Sequence, residues 1–154
     1  MYLLLLSLHS FCRWLVLAGL VYTLFRAYRG WLQQRAFLPA DNRLRHITAT
    51  LAHIQLLLGL GLYFTSPVTG YFLHHYKQAV HERAVRFFGM EHSIMMFVAV
   101  LLITIGSVKA KRQRDAVRAF RTIAVWYSIA LLVIVLSVPW PFSPMAGRPY
   151  LRLP

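Results

Sequence analysis

Three histidines, His9, His53 and His92, lie in three separate apolar stretches, each long enough to cross a bilayer. Hydrocarbon penalises polar side chains, so an imidazole at membrane depth calls for a partner: a metal, a cofactor, a proton path or another polar group. Neutral imidazole is also the commonest protein ligand for metals. Arg13 follows His9 by one helical turn, and Glu91 adjoins His92 as the only acid within an apolar stretch. These two could pair with each other. Alternatively, Arg13 or Arg86 could neutralise the carboxylates of a bound cofactor while Glu91 fixes the tautomer of a ligating imidazole. Met95 and Met96, three and four residues after His92, are either soft ligands or core filler. His46 precedes His53 by one heptad and reads as interfacial. His74, His75 and His81 form a further group with Glu82, either solvated or a surface zinc or copper site. Cys12 stands alone, so no disulfide or cysteine cage arises within the chain.

The elements that must position these residues follow from composition. The 154 residues are 58% hydrophobic and 14% charged, against roughly 25% charged in soluble domains. An all-α membrane protein is expected, a single domain over 1–154 built as an antiparallel bundle of four spans at about 3–28, 46–66, 87–108 and 123–139. Pro39, Asp41 and Asn42 mark the restart before the second span, with Asp41 or Asn42 as N-cap; Ser66-Pro67 ends it and Pro139-Trp140-Pro141 ends the fourth. KQAVHERAVR (77–86) has no helix breaker, so the third helix is expected to start near Gln78. The first stretch lacks a basic n-region and a small-residue cleavage site, and is read as a retained helix. Gly-rich phosphate loops, HExxH and the nucleophile elbow are all missing from the sequence.

Charge sets the expected orientation. The net charge of +13 would suggest nucleic acid in a soluble protein. Here the cations sit between spans, so lipid headgroups are the expected partner and nucleic acid is not. Eleven basic residues (Arg26, Arg29, Arg35, Arg43, Arg45 and six from Lys109 to Arg121) flank one side; five (Lys77, Arg83, Arg86, Arg148 and Arg152) flank the other. The positive-inside rule then places both termini on the periplasmic side of a bacterial inner membrane. His9 and His92 each enter from that side and lie at one level, about 6–8 Å deep, with His53 about 10 Å deeper. The first and third helices of an up-down bundle are diagonal. Two imidazoles so placed are what bis-histidine ligation of a haem b requires, which makes His9 and His92 the first candidates as metal ligands. His53 is an alternative ligand, the lining of a quinone or proton site, or an interhelical hydrogen-bonding group. Two other readings stay open: a non-haem copper or zinc site using His9, His53 and His92, and an accessory subunit of a respiratory complex.

The segments LHSFCRWLVL, AHIQLLLGLGLYFTSP, RFFGMEHSIMM with IGSVKAKR, and VPWPF resemble, in order and spacing, small bacterial four-helix membrane proteins labelled "cytochrome b". The resemblance runs from His9 to Phe142, and its motifs fall on His9, Arg13, Trp14, His53, Gln55, Arg86, Glu91 and His92. It implies a b-haem electron carrier or quinone-linked oxidoreductase, with quinone or a respiratory-chain protein as partner. The fourth span carries no histidine, so one haem rather than two is expected.

Overall fold

In the computed structural model, residues 2–142 are described. Arg148 and Arg152, counted above for orientation, lie outside them. The fold is all helical. Helix α1 (Tyr2–Leu32) is followed by α2 (Pro39–Thr65) and then by two short helices, α3 (Pro67–His74) and α4 (Tyr76–Ala79). Next come α5 (Arg83–Arg86), a π-helical turn (Phe87–Glu91) and α6 (His92–Lys111), which together make one apolar rod. Helix α7 (Ala116–Ser137) completes the described elements. Four rods, Tyr2–Leu32, Pro39–Thr65, Arg83–Lys111 and Ala116–Ser137, are long and apolar enough to span a membrane. The chain is a multi-pass membrane protein on those grounds.

Each rod packs on two others: α1 on α2 and α7, and α6 on α2 and α7. Thus α1 and α6 are diagonal, as expected for first and third spans. Cross-links show neighbouring rods running antiparallel. Thr23 meets Thr48 at 2.8 Å while Gln55 reaches the backbone of His9, and Tyr28 meets Ser128 while Trp14 meets Trp140.

The interior holds mostly small residues. Ala49, Ala52, Ala99, Ala110, Ala124 and Ala130 are buried between helices, joined by a few large ones such as Leu20, Ile103 and Tyr127. Large apolar side chains such as Phe11, Phe25, Leu57, Phe97 and Leu136 face outward. In lipid no hydrophobic force drives helices together, so small residues that allow close backbone approach make the contacts. Gly30 is one such place, where an added Cβ would lie 2.5 Å from the Phe120 ring.

The rods differ from the sequence reading at several ends, with α1 running to Leu32 instead of 28 and α7 beginning at Ala116 instead of 123; three further differences lie between them. Helix α2 begins at Pro39 instead of near His46. Proline at the first helical position has its φ already set, and Leu38 N–H donates to Asp41 Oδ2 at 3.0 Å, so Asp41 acts from the third position instead of as N-cap. Arg45 is therefore a helix residue and not a loop cation. It is buried, with its guanidinium on the Asn42 side chain and on the backbone and hydroxyl of Ser107, while its own carbonyl accepts from Tyr127. Third, the 66–86 segment folds as short helices. Ser66 caps α3 through Val68 N–H, Pro67 sits at its start, and a turn at 80–82 separates α4 from α5.

Candidate functional site

His9 of α1 and His92 of α6 come to the same cavity from diagonal helices. The cavity has two lobes that share His9, Arg13, Gly59, Tyr63, His92 and Ser93. One lobe, about 150 Å³, extends past Tyr2, Ser66 and Thr69 toward the end of the bundle where the chain begins; the other, about 90 Å³, runs inward past Gln55, Leu56, Met96 and Val100. Except for Gln55, the walls of the inner lobe beyond the shared residues are apolar.

His92 is held by its Nδ1, 2.8 Å from the backbone oxygen of Ser137. A carbonyl only accepts, so Nδ1 carries the hydrogen and Nε2 presents a lone pair. That carbonyl is available because Ser137 is the last residue of α7, where no following turn claims it. The π-helical turn directly before His92 closes with His92 N–H on Phe87 O. Such a turn inserts one residue into the helical register, and π-turns are frequent at functional sites. Two contacts support it: Tyr63 O–H donates to Gly89 O at 2.9 Å, and Ser93 O–H to Phe88 O at 3.0 Å.

His9 lies against α2 at Gly59. A Cβ there would sit 3.3 Å from His9 Cε1, tighter than ordinary contact. The glycine leaves room for the ring. Nδ1 of His9 is buried and makes no regular hydrogen bond among the described residues. Gly61, one turn fragment further, meets Leu5 instead. The two glycines of LLLGLGLYF therefore serve different neighbours, a distinction invisible in the motif itself.

The other sequence candidates fall as follows. Arg13 lines both lobes, with its guanidinium 5.5 Å from the centre of the Trp14 ring. Glu91 does not line the cavity; it accepts from Arg86 Nε at 2.7 Å, and Arg86 also donates to Val80 O. The tautomer of His92 is thus fixed by a backbone carbonyl and not by Glu91. His53 also lies off the cavity, with Nδ1 2.7 Å from Ala49 O in its own helix and Nε2 3.0 Å from Thr104 Oγ1 of α6. It is six residues before Gly59, about 9 Å along the helix. Met96 lines the inner lobe, while Met95 is exposed. His75 stacks on Tyr71, whose hydroxyl donates to Glu82 at 2.9 Å. Among the described residues, no group of three or more His, Cys, Asp or Glu gathers where it could hold a metal ion.

Gln55, Ser93 and Ser137 are among the site residues that sequence reasoning left without a role. Gln55 belongs to the HxQLLxGL segment and could have been singled out as an amide inside a span. No sequence signal points to Ser137, because its contribution is a backbone oxygen. Comparison of the chain with protein-family models, with characterised proteins and with solved structures finds no match.

Proposed function

We propose that this protein is a b-type membrane cytochrome that holds one haem through His9 and His92 and carries electrons within the bilayer, with quinone as a candidate partner. The observation that carries the reading is the convergence of two imidazoles from diagonal helices on one apolar-walled cavity. The residues present fit the group. The Ser137 carbonyl keeps Nδ1 of His92 protonated, which frees Nε2 for ligation. Gly59 gives His9 its room. Arg13, on the cavity wall, supplies positive charge for carboxylate substituents. When bound, haem would supply a one-electron iron couple. The chain's part is to ligate, to orient both imidazoles and to surround them with Leu, Val and Ile side chains that keep water away.

Orientation belongs to the same proposal. The basic ends of the rods face the cytoplasm of a bacterial cell and the chain terminus near Tyr2 faces the periplasm, which sets the ligand pair toward the periplasmic side.

Absorption spectroscopy tests the reading. Purified protein should be red, with a Soret band that shifts on dithionite reduction and a pyridine haemochrome of b type. His9→Ala and His92→Ala should each abolish the low-spin spectrum, while His53→Ala should keep it. A colourless preparation with stoichiometric copper or zinc would overturn the proposal in favour of a non-haem metal site. A colourless, metal-free one would favour an accessory subunit.

A further inference from the structure

The outward faces of three rods are apolar through their middles, with Phe11 and Leu15 on α1, Phe97 and Leu101 on α6, and Ile129 and Leu132 on α7. Helix α2 departs from that pattern. Arg43, His46, Thr50 and His53 are all exposed and recur at intervals of three, four and three residues, so they form one stripe along an outer face. His53 is fourteen residues after Pro39 and twelve before Thr65, at the middle of the rod. A long cation near a rod end can reach the headgroups, but an imidazole at mid-span cannot. Polar groups at that depth are costly against lipid and are found facing a partner.

The contacts of His53 show what it lacks. Nδ1 lies 2.7 Å from Ala49 O, and Nε2 lies 3.0 Å from Thr104 Oγ1, which in turn lies 2.7 Å from Val100 O. Both carbonyls only accept, so each needs a hydrogen, and the middle contact needs a third. A neutral imidazole and a hydroxyl bring two. The missing hydrogen has to come from outside the pair. A carboxylic acid supplies one, and it also balances the charge where the imidazole keeps that hydrogen. This chain has no acid to offer. Its four are Asp41, Glu82, Glu91 and Asp115, taken by Arg26, Tyr71, Arg86 and Arg118. A second copy of the chain is equally lacking, and pairing α2 with its own copy would set like charges at Arg43 and His46 face to face.

We infer that this stripe of α2 seats a membrane-spanning helix of a second, different protein, with a glutamate or aspartate of that helix at the depth of His53. Arg43 and His46 extend the same charge complementarity toward the basic end of the rods. Ile47, Ile54 and Leu57, exposed beside the stripe, supply apolar contact around the pair. The inference does not use the haem reading, since His53 lies off the cavity of His9 and His92.

The test measures energy transfer in phosphatidylcholine vesicles. The whole chain is labelled at Gln113→Cys in a Cys12→Ser background, and synthetic leucine-rich spanning helices are labelled at one end. The helices carry Glu, Gln or Leu at the position level with His53. The Glu helix should associate about tenfold more tightly than the Leu helix, the scale of polar pairs between model membrane helices, and more tightly than the Gln helix. His53→Leu should remove that preference, and His46→Leu should keep it. Moving the Glu by one heptad along the synthetic helix should lose the preference with no change to the protein, which keeps the test valid if His53→Leu does not fold. Equal association of the Glu and Leu helices overturns the inference, and so does a preference that survives in helical His53→Leu protein. A Gln helix as tight as the Glu helix overturns the assignment of a carboxyl group. Energy transfer between two labelled copies of the chain that His53→Leu abolishes also overturns it, by making the occupant a second copy.

Discussion

Gly59 matters for the side chain it lacks. Helix α1 brings His9 onto α2 at this position, with His9 Cε1 3.3 Å from where a Cβ would stand. A single methyl needs the ring to move by a few tenths of an ångström, whereas a branched side chain leaves it no room. If the proposed haem reading holds, Gly59→Val is expected to abolish the low-spin spectrum while helix content by circular dichroism stays unchanged, and Gly59→Ala to lower haem retention only in part. Full haem occupancy in Gly59→Val would show that His9 does not need this seat. His92 solves the same orientation problem with the last carbonyl of α7. Histidine, arginine and glutamate could be named as candidates from residue type alone. Which of them meet could not, since Glu91 goes to Arg86 and His53 to Thr104.

Helix boundaries explain several of these differences. Pro39 starts α2 about two turns before the apolar run does, because a helix start depends on backbone N–H groups and not on hydropathy. Asp41 then serves two partners, with Oδ1 accepting from Arg26 at 2.6 Å and Oδ2 accepting from Leu38 N–H. Asp41 is buried. Asp41→Ala should lower stability by about 1–2 kcal/mol, the cost of a lost cap and a partly buried charged hydrogen bond. Thermal unfolding in detergent measures this, and an unchanged midpoint would show that the Arg26 pair and the cap contribute nothing net. The π-helical turn before His92 is the opposite case, a feature that apolar periodicity over 87–91 does not reveal. It arises from packing, with Gly89 under the Phe72 ring and its carbonyl taken by Tyr63.

For the whole molecule, the basic residues mark one end. Lys109 lies 4.6 Å from the Trp126 ring and Arg121 5.7 Å from that of Trp31, so cations and interfacial aromatics share that boundary. Removing Arg45 from the loop count leaves the asymmetry in place, since Lys111, Arg112, Arg114, Arg118 and Arg121 cluster around the last connection. In a Cys12→Ser background, Lys77→Cys should react with a membrane-impermeant maleimide in intact spheroplasts, and Gln113→Cys only after lysis. The reverse pattern would invert the proposed orientation and place His9 and His92 toward the cytoplasmic side.

The chain by itself determined the four apolar spans and the histidines worth asking about, because hydropathy and the cost of polar groups in lipid are properties of residue type and run length. It also indicated that the first and third spans would be diagonal, since successive helices of an up-down bundle are neighbours. Tertiary structure decided which polar groups are partners. His92 depends on where α7 stops, His9 on which glycine it meets, and Gln55 on the backbone oxygen that orients its amide. Those are contacts between helices far apart in sequence, often to backbone atoms, and no residue type encodes them.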